Sequence, residues 1–158
     1  MTAAPLRLVI DTNVLLDCWV FDDPRARPLW QALIERPATL RCLRSDATDA
    51  ELADVLARAP LAQRLQARRV DGAALLAQWR ALAEPVPRLF AAPWGCSDPH
   101  DQKFLDLACT GRAQLLVSKD KALLKVGRRA RASGLQIAAV ADAMAMVAAR
   151  IDAAPAAA

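Results

Sequence analysis

Two short apolar segments of the chain are each followed directly by polar residues that include an aspartate. Residues 6–10 (Leu-Arg-Leu-Val-Ile) lead into Asp11, and residues 114–117 (Gln-Leu-Leu-Val) lead into Ser118 and then Asp120. Short apolar runs of this kind predict buried strands of a parallel sheet. Because the carboxyl ends of parallel strands meet at one edge of the sheet, both aspartates are expected at that edge.

Segments with strand and helix patterns alternate along the chain. The predicted strands are residues 6–10, 39–43, 86–91, 114–117 and 135–140. The predicted helices are residues 25–36, 46–58, 61–69, 73–83, 101–110, 121–132 and 141–151. This alternation predicts an α/β sandwich around a mostly parallel sheet. The length of 158 residues fits one domain, which we assign to residues 1–152, and we expect the Ala/Pro-rich residues 153–158 to be disordered.

The composition excludes several classes of protein. No apolar stretch is long enough for a transmembrane helix, and the first residues lack the pattern of a signal peptide, so we expect a cytoplasmic protein that does not bind membranes. Four Cys without a C-x-x-C pair, together with one His, argue against a disulfide scaffold and a structural zinc site. All but four of the 21 basic residues are Arg, which favours contact with carboxylate or phosphate groups.

Four acidic residues stand at positions that suit a shared metal site. Asp11 and Asp120 follow strands, Asp101 opens a predicted helix, and Glu51 lies in a helix whose inward side is otherwise apolar. Carboxylates from separate segments repel one another, and a fold that brings them together normally does so to hold a divalent cation. With one His and scattered Cys, only oxygen ligands are available, which favours Mg²⁺ or Mn²⁺ and phosphoryl chemistry.

Each of these residues also has a structural interpretation. The alternatives are a strand-end turn at Asp11, a capping box between Thr48 and Glu51, an N-cap at Asp101, and charge balance of Asp120 beside Lys119 and Lys121. Asp98, which precedes Pro99, is better explained by a turn, and His100 by a solvated loop. Among the tryptophans, the sequence predicts core positions for Trp19, Trp30 and Trp79, and only Trp94 is a candidate for base stacking.

Four motifs in this order resemble the PIN-domain family, and within it the branch described as toxins of toxin–antitoxin systems. The resemblance covers about residues 6–147. The motifs are residues 9–14 (Val-Ile-Asp-Thr-Asn-Val), 51–56 (Glu-Leu-Ala-Asp-Val-Leu), 98–108 (Asp-Pro-His-Asp-Gln-Lys-Phe-Leu-Asp-Leu-Ala) and 116–124 (Leu-Val-Ser-Lys-Asp-Lys-Ala-Leu-Leu). The first motif alone is weak, whereas all four in this order make a specific match.

The resemblance implies a three-layer α/β/α sandwich with a mostly parallel sheet of about five strands and a metal-dependent endoribonuclease site. Transferred residue by residue, it assigns the catalytic acids that bind Mg²⁺ or Mn²⁺ as Asp11, Glu51, Asp101 and Asp120, and the supporting polar residues as Asn13 and Ser118. It implies RNA as the substrate, and a cognate antitoxin or a second copy of the chain as partner. The alternative is a non-catalytic domain of the same fold that binds RNA or protein, and the presence of all four acids favours the enzyme.

Basic residues near these motifs are candidates for RNA contacts. Because a cluster of acids repels a polyanion, RNA binding requires cations around the site. The candidates nearest the motifs also include Lys103 and Lys125, and we predict these contacts for Lys119, Lys121, Arg128 and Arg129. The competing interpretation is that the run from Arg128 to Arg131 is only a solvated helix face.

Overall fold

The computed structural model describes residues 3–154 and contains a five-stranded sheet in which all paired strands are parallel. The strands are β1 (Leu6–Ile10), β2 (Leu40–Arg44), β3 (Glu84–Pro85), β4 (Leu115–Val117) and β5 (Gln136–Ala138). Their order across the sheet is β3-β2-β1-β4-β5, so the strand that leads into Asp11 is central. Strands that follow one another along the chain are joined by helices, as parallel connections require.

Within the described residues, helices cover both faces of this sheet. They are α1 (Thr12–Trp19), α2 (Arg27–Glu35), α3 (Asp46–Ala57), α4 (Ala59–Ala67), α5 (Gly72–Leu82), α6 (Gln102–Thr110), α7 (Lys121–Leu124), α8 (Gly127–Arg131) and α9 (Val140–Ala153). A short 3₁₀ turn, Pro99–Asp101, precedes α6. No helix of the described residues is both long enough and apolar enough to cross a membrane.

Alternate side chains of β1 separate two hydrophobic cores. Leu8 and Ile10 lie in a core that includes buried residues of α1, α2, α3 and α9, among them Leu15, Leu29, Leu52 and Val147. Val9 points to the opposite face and lies in a core with residues of α6, α7 and α8, among them Phe104, Leu123 and Ala130. Because successive side chains of a strand face opposite ways, one strand serves both cores. The predicted three-layer α/β/α sandwich is confirmed.

The register of the central strands brings the two predicted acidic strand ends to the same edge. Leu8 pairs with Leu115 and Ile10 with Val117. The ladder continues one step further, because the Asp11 backbone N–H donates to the Val117 carbonyl at 2.9 Å. Asp11 and the residue that follows Val117 therefore leave the sheet side by side at its carboxyl edge.

The helix α1 was not predicted. Most side chains of this helix, Thr-Asn-Val-Leu-Leu-Asp-Cys-Trp, are buried, and this includes the charged Asp17, which is only 8% exposed. A helix that is buried on most sides lacks the apolar stripe by which a surface helix is recognised. The structural alternative considered for Asp11, a strand-end turn, is replaced in the structure by a helix N-terminus.

Two other predicted elements are wrong. Residues 86–91 form no strand, because β3 ends at Pro85 and Pro87 removes a further backbone donor from the ladder. Residues 121–132 form two short helices, α7 and α8, instead of one continuous helix. The predicted basic helix is therefore broken between Leu124 and Gly127.

Smaller differences concern helix ends. Pro24 lies in a turn before α2, and the proline within its first helical positions is Pro28. The final helix extends through Ala153, so the predicted disordered tail is helical at its first residue. The rest of that prediction, for residues 155–158, lies outside the described residues.

The predicted roles of the tryptophans are confirmed for three residues and wrong for the fourth. Trp19 and Trp79 are buried, and Trp19 packs edge-on against Trp30 and Trp79 with ring centroids 5.2 and 6.2 Å apart. Trp94 is only 8% exposed and packs in the same core as Phe104. Its ring is therefore part of the core and is not presented to solvent for base stacking.

Candidate active site

Ser118 links the ends of β1 and β4 and is fully buried. Its hydroxyl donates to Asp11 Oδ2 at 2.8 Å and accepts from the backbone N–H of Asp120 at 3.0 Å. Asp120 in turn caps α7, because its Oδ1 accepts from the Ala122 N–H at 2.7 Å. One buried hydroxyl therefore orients both aspartates that the sequence places at strand ends.

Asp101 is 9% exposed, and its carboxylate does not cap the helix it precedes. Within residues 3–154, its Oδ2 is buried and has no hydrogen-bond partner. The capping bond of the 3₁₀ turn is made instead by Asp98, whose Oδ1 accepts from the His100 N–H at 2.9 Å. The N-cap interpretation of Asp101 is therefore wrong, whereas the turn role of Asp98 and the exposed loop position of His100 are confirmed.

The aspartates act on one another electrostatically. Burial raises the pKa of the Asp11 carboxyl; the Ser118 hydroxyl and the Asn13 backbone N–H partly oppose this, and the charges of Glu51 and Asp120 add to it. Burial, followed by the charges of Asp120 and Asp11, raises the pKa of Asp101 to about 7. Like charges gathered in a buried place disfavour the ionised form of each, unless a cation compensates them.

Glu51 faces this cluster from α3, but two other groups hold its carboxylate. The Thr12 hydroxyl donates to Oε2 at 2.5 Å, and the Lys103 ammonium forms an ion pair with Oε1 at 2.9 Å. Both members of the ion pair are about three-quarters buried, with 23% and 22% of their side chains exposed. The alternative interpretation of Glu51, a capping box with Thr48, is wrong, because Thr48 forms its box with Ser45.

The donor set fits a divalent cation in type. Among residues 3–154, no three Asp, Glu, His or Cys side chains stand close enough together to hold a metal ion as they are. However, Asp101 has an unpartnered oxygen, and the negative charges of Asp11 and Asp120 act on its carboxylate and raise its pKa. None of these three aspartates has a cationic partner in the described ion pairs. Hard oxygen donors of this kind suit Mg²⁺ or Mn²⁺. Asp11, Asp101 and Asp120 would hold the ion, with Glu51 as a fourth acid once its carboxylate turns from Lys103.

An unpartnered buried oxygen alone does not mark the site. Asp49 also has one, on Oδ1, but its charge is compensated by Arg44 at 2.7 Å and Arg80 at 3.8 Å. Asp101 differs because the nearest charges are themselves negative. Asp49 therefore serves as an internal contrast, a buried carboxylate stabilised by the protein itself.

The family model of the PIN domain matches residues 7–122, which is more than two thirds of the chain. The chain belongs to the PIN domain family. PIN domains are generally nucleases and typically use divalent metals. No curated protein shows a significant match to this chain. The matched part of this PIN domain includes all four acids and ends shortly after Asp120, so α8 lies beyond it.

The basic residues predicted to contact RNA have different surroundings in this PIN domain. The ammonium of Lys119 is bound by both carboxylate oxygens of Asp17, at 3.0 and 2.8 Å. Lys121 and Arg128 are exposed, and Arg129 donates from Nη2 to the Gly95 carbonyl at 3.2 Å. Lys119 is thus engaged within the protein, and RNA contact by the other three stays a prediction.

Three residues that support the site are not among the supporting residues predicted from the sequence: Thr12, Gln102 and Lys103. Thr12 and Lys103 hold Glu51, and Gln102 holds the loop before Asp98. All three are adjacent or nearly adjacent to a predicted acid, at Asp11 or Asp101, which is the signal that sequence offers. Their partners lie 6 to 52 positions away along the chain and depend on the tertiary packing.

We expect Lys103→Met to raise the affinity of the chain for Mn²⁺ by up to about fivefold. The substitution frees Glu51 from an ion pair worth about 1 kcal/mol and removes a positive charge that opposes a cation. Isothermal titration calorimetry with Mn²⁺ measures the effect. The matched variant Lys103→Arg keeps the ion pair and should bind Mn²⁺ like the wild type, whereas equal affinities for all three proteins would contradict the role given to Lys103.

Proposed function

We propose that this PIN domain is a divalent-metal-dependent endoribonuclease that hydrolyses RNA phosphodiester bonds. The observation that carries the proposal is the buried Asp101 carboxylate. One of its oxygens has no hydrogen-bond partner among the described residues, and the negative charges of Asp11 and Asp120 disfavour its ionised form. Such an arrangement is unfavourable by itself and becomes favourable around a cation. The family's general association with nucleases supports the same conclusion.

The roles of the residues follow from their contacts. A bound Mg²⁺ or Mn²⁺ supplies Lewis-acid chemistry at a phosphodiester, by activating water and neutralising developing charge. Asp11, Asp101 and Asp120 would hold the ion, and Ser118 fixes the orientation of Asp11. Lys103 holds Glu51 and becomes available to a phosphate when Glu51 turns away.

The test is cleavage of an end-labelled RNA by the purified chain. We expect Mg²⁺ or Mn²⁺ to support cleavage at internal positions, and EDTA to stop it. A DNA strand of the same sequence serves as the comparison for the sugar requirement. Binding of RNA without metal-dependent cleavage would instead favour the alternative, a non-catalytic RNA-binding domain of the same fold.

The biological setting is a finer proposal. The motifs at Asp11, Glu51, Asp101 and Asp120 resemble those of toxins from toxin–antitoxin systems. We therefore assign residues 1–152 to a cytoplasmic ribonuclease toxin, with an antitoxin or a second copy of the chain as its protein partner. Growth arrest on expression of the wild-type chain, and normal growth on expression of Asp11→Asn, would support this role.

A further inference from the structure

A groove of about 370 Å³ lies between the loop before Asp98 and the helices α7 and α8. Its walls are formed by Gly95, Cys96 and Ser97 on the loop side and by Ala122, Lys125, Val126 and Arg129 on the helical side. Lys125 and Arg129 are exposed, and in the part of the chain that the structure describes neither forms an ion pair with a carboxylate. The groove therefore carries two uncompensated positive charges.

The loop wall of the groove is held in place by hydrogen bonds to its backbone. Gln102 accepts from the Cys96 N–H at 2.7 Å and donates to the Trp94 carbonyl at 2.9 Å, while Trp94 itself is anchored in the core. Arg129 donates to the Gly95 carbonyl from Nη2, which leaves other N–H groups of its guanidinium free to bind an anion. The groove is thus preformed, with one cation already oriented across it.

The groove opens beside two of the four acids, Asp101 and Asp120. Ser97 in its wall is followed directly by Asp98, and the Ala122 N–H in the opposite wall is bound by Asp120. Burial raises the pKa of the Cys96 thiol; the Asp98 backbone N–H partly opposes this, and the charges of Asp101, Asp120 and Asp98 add to it. Lys125 and Arg129 are therefore available in this groove to an anionic chain that reaches the acids.

We infer that this groove binds the RNA backbone next to the phosphodiester that is cleaved, with Lys125 and Arg129 contacting a flanking phosphate. The inference rests on the proposed function and adds to it the position of the bound strand. No aromatic ring lines the groove, and the nearby Trp94 is packed in the core, so the contacts are to phosphate and not to stacked bases. Such contacts position RNA without selecting its sequence.

The structure separates Arg129 from Arg128, which the sequence places together. Both are exposed on α8, but Arg128 does not line the groove. The pair Lys125→Ala with Arg129→Ala therefore removes the two groove cations, and Arg128→Ala with Arg131→Ala removes the same charge from the same region. Lys125→Ala alone is a further variant, since Lys125 makes no side-chain hydrogen bond that stabilises the described fold.

Binding of a fluorescent single-stranded RNA is measured by anisotropy over a range of salt, with all variants made in the non-cleaving Asp11→Asn chain. For the groove pair we expect about a tenfold higher Kd, and a slope of log Kd against log salt that is shallower by about 0.7, because the two cations share one phosphate contact and each phosphate contact contributes roughly 0.7. Lys125→Ala should give about half of the change in slope. The Arg128/Arg131 pair should change both quantities clearly less.

A neutral methylphosphonate placed at one phosphate at a time locates the contact. When the chain keeps Lys125 and Arg129, we expect a methylphosphonate at one flanking position to weaken RNA binding. The same methylphosphonate should have no effect on RNA binding by the Lys125→Ala, Arg129→Ala variant. Two results would overturn the inference even if the wild type cleaves RNA. One is an equal change in Kd and salt slope for the Lys125/Arg129 and Arg128/Arg131 pairs, and the other is the same methylphosphonate sensitivity with and without the groove cations. If the wild type binds RNA through the groove but never cleaves it, the proposed function fails and the groove stands.

Discussion

Asp11→Asn is expected to reduce metal-dependent RNA cleavage by at least about a thousandfold while leaving the fold intact. The amide retains an oxygen that can accept from the Ser118 hydroxyl, so the link between β1 and β4 is kept. The negative charge that helps to hold the cation is lost. Since the Lewis-acid contribution of such an ion is several kcal/mol, its loss corresponds to a factor of this order.

The matched control for this variant is Asp49→Asn. Asp49 is also a buried carboxylate, 5% exposed, but it is paired with Arg44 and Arg80 and not with other acids. We expect Asp49→Asn to lower the free energy of unfolding by about 1–3 kcal/mol and to leave kcat unchanged below its melting temperature. Initial cleavage rates in Mg²⁺ and in Mn²⁺ compare the two variants, and full activity of Asp11→Asn in either metal would remove Asp11 from the site.

Asp101→Asn is expected to abolish cleavage and, at the same time, to stabilise the chain in EDTA at pH 8. Because the pKa of Asp101 is raised to about 7, the folded chain keeps a proton there that the unfolded chain releases near pH 4. The folded state therefore binds more protons in this window, and the free energy of unfolding falls as pH rises from about 4 to 7. The amide carries no charge and escapes this loss.

The measurement is the melting temperature of the wild type and Asp101→Asn between pH 4 and 8. In EDTA we expect the variant to melt about 2–4 °C higher at pH 8, a difference that corresponds to roughly 1 kcal/mol, and the gap to close toward pH 4. Added Mn²⁺ should raise the melting temperature of the wild type and change that of the variant little. A variant that is less stable than the wild type at pH 8 would show that Asp101 is stabilised by the protein, as Asp49 is.

The strand ends that carry the site could be predicted from the sequence. Residues 6–10 and 114–117 are short, apolar and followed by acids. Because parallel strands run in the same direction, their carboxyl ends, and with them Asp11 and Asp120, lie at one edge of the sheet. Ser118 was assigned a supporting role from the resemblance, and its two hydrogen bonds show how it acts. Local pattern and sheet topology agree in this part of the chain.

The rest of the site depends on contacts that no local pattern encodes. Glu51 and Lys103 are 52 positions apart, and their ion pair exists because α3 and α6 contact each other, although the apolar residues of the two helices lie in different cores. The break between α7 and α8 falls at residues 125–126, directly before Gly127, which is a poor helix former. One glycine does not fix whether the helix breaks or continues, so the position of Arg129 in the groove and of Arg128 outside it depends on the tertiary packing.

The most direct test of the central claim is an anomalous difference map from crystals of the wild-type chain soaked in Mn²⁺. Our account predicts a Mn²⁺ peak at the carboxyl edge of the sheet, with carboxylate oxygens of Asp11, Asp101 and Asp120 at about 2.1–2.2 Å, and with Glu51 turned from Lys103 toward the ion. Crystals of Asp101→Asn should show no peak there. An occupied site elsewhere in the wild type, with none between these aspartates, would contradict the account.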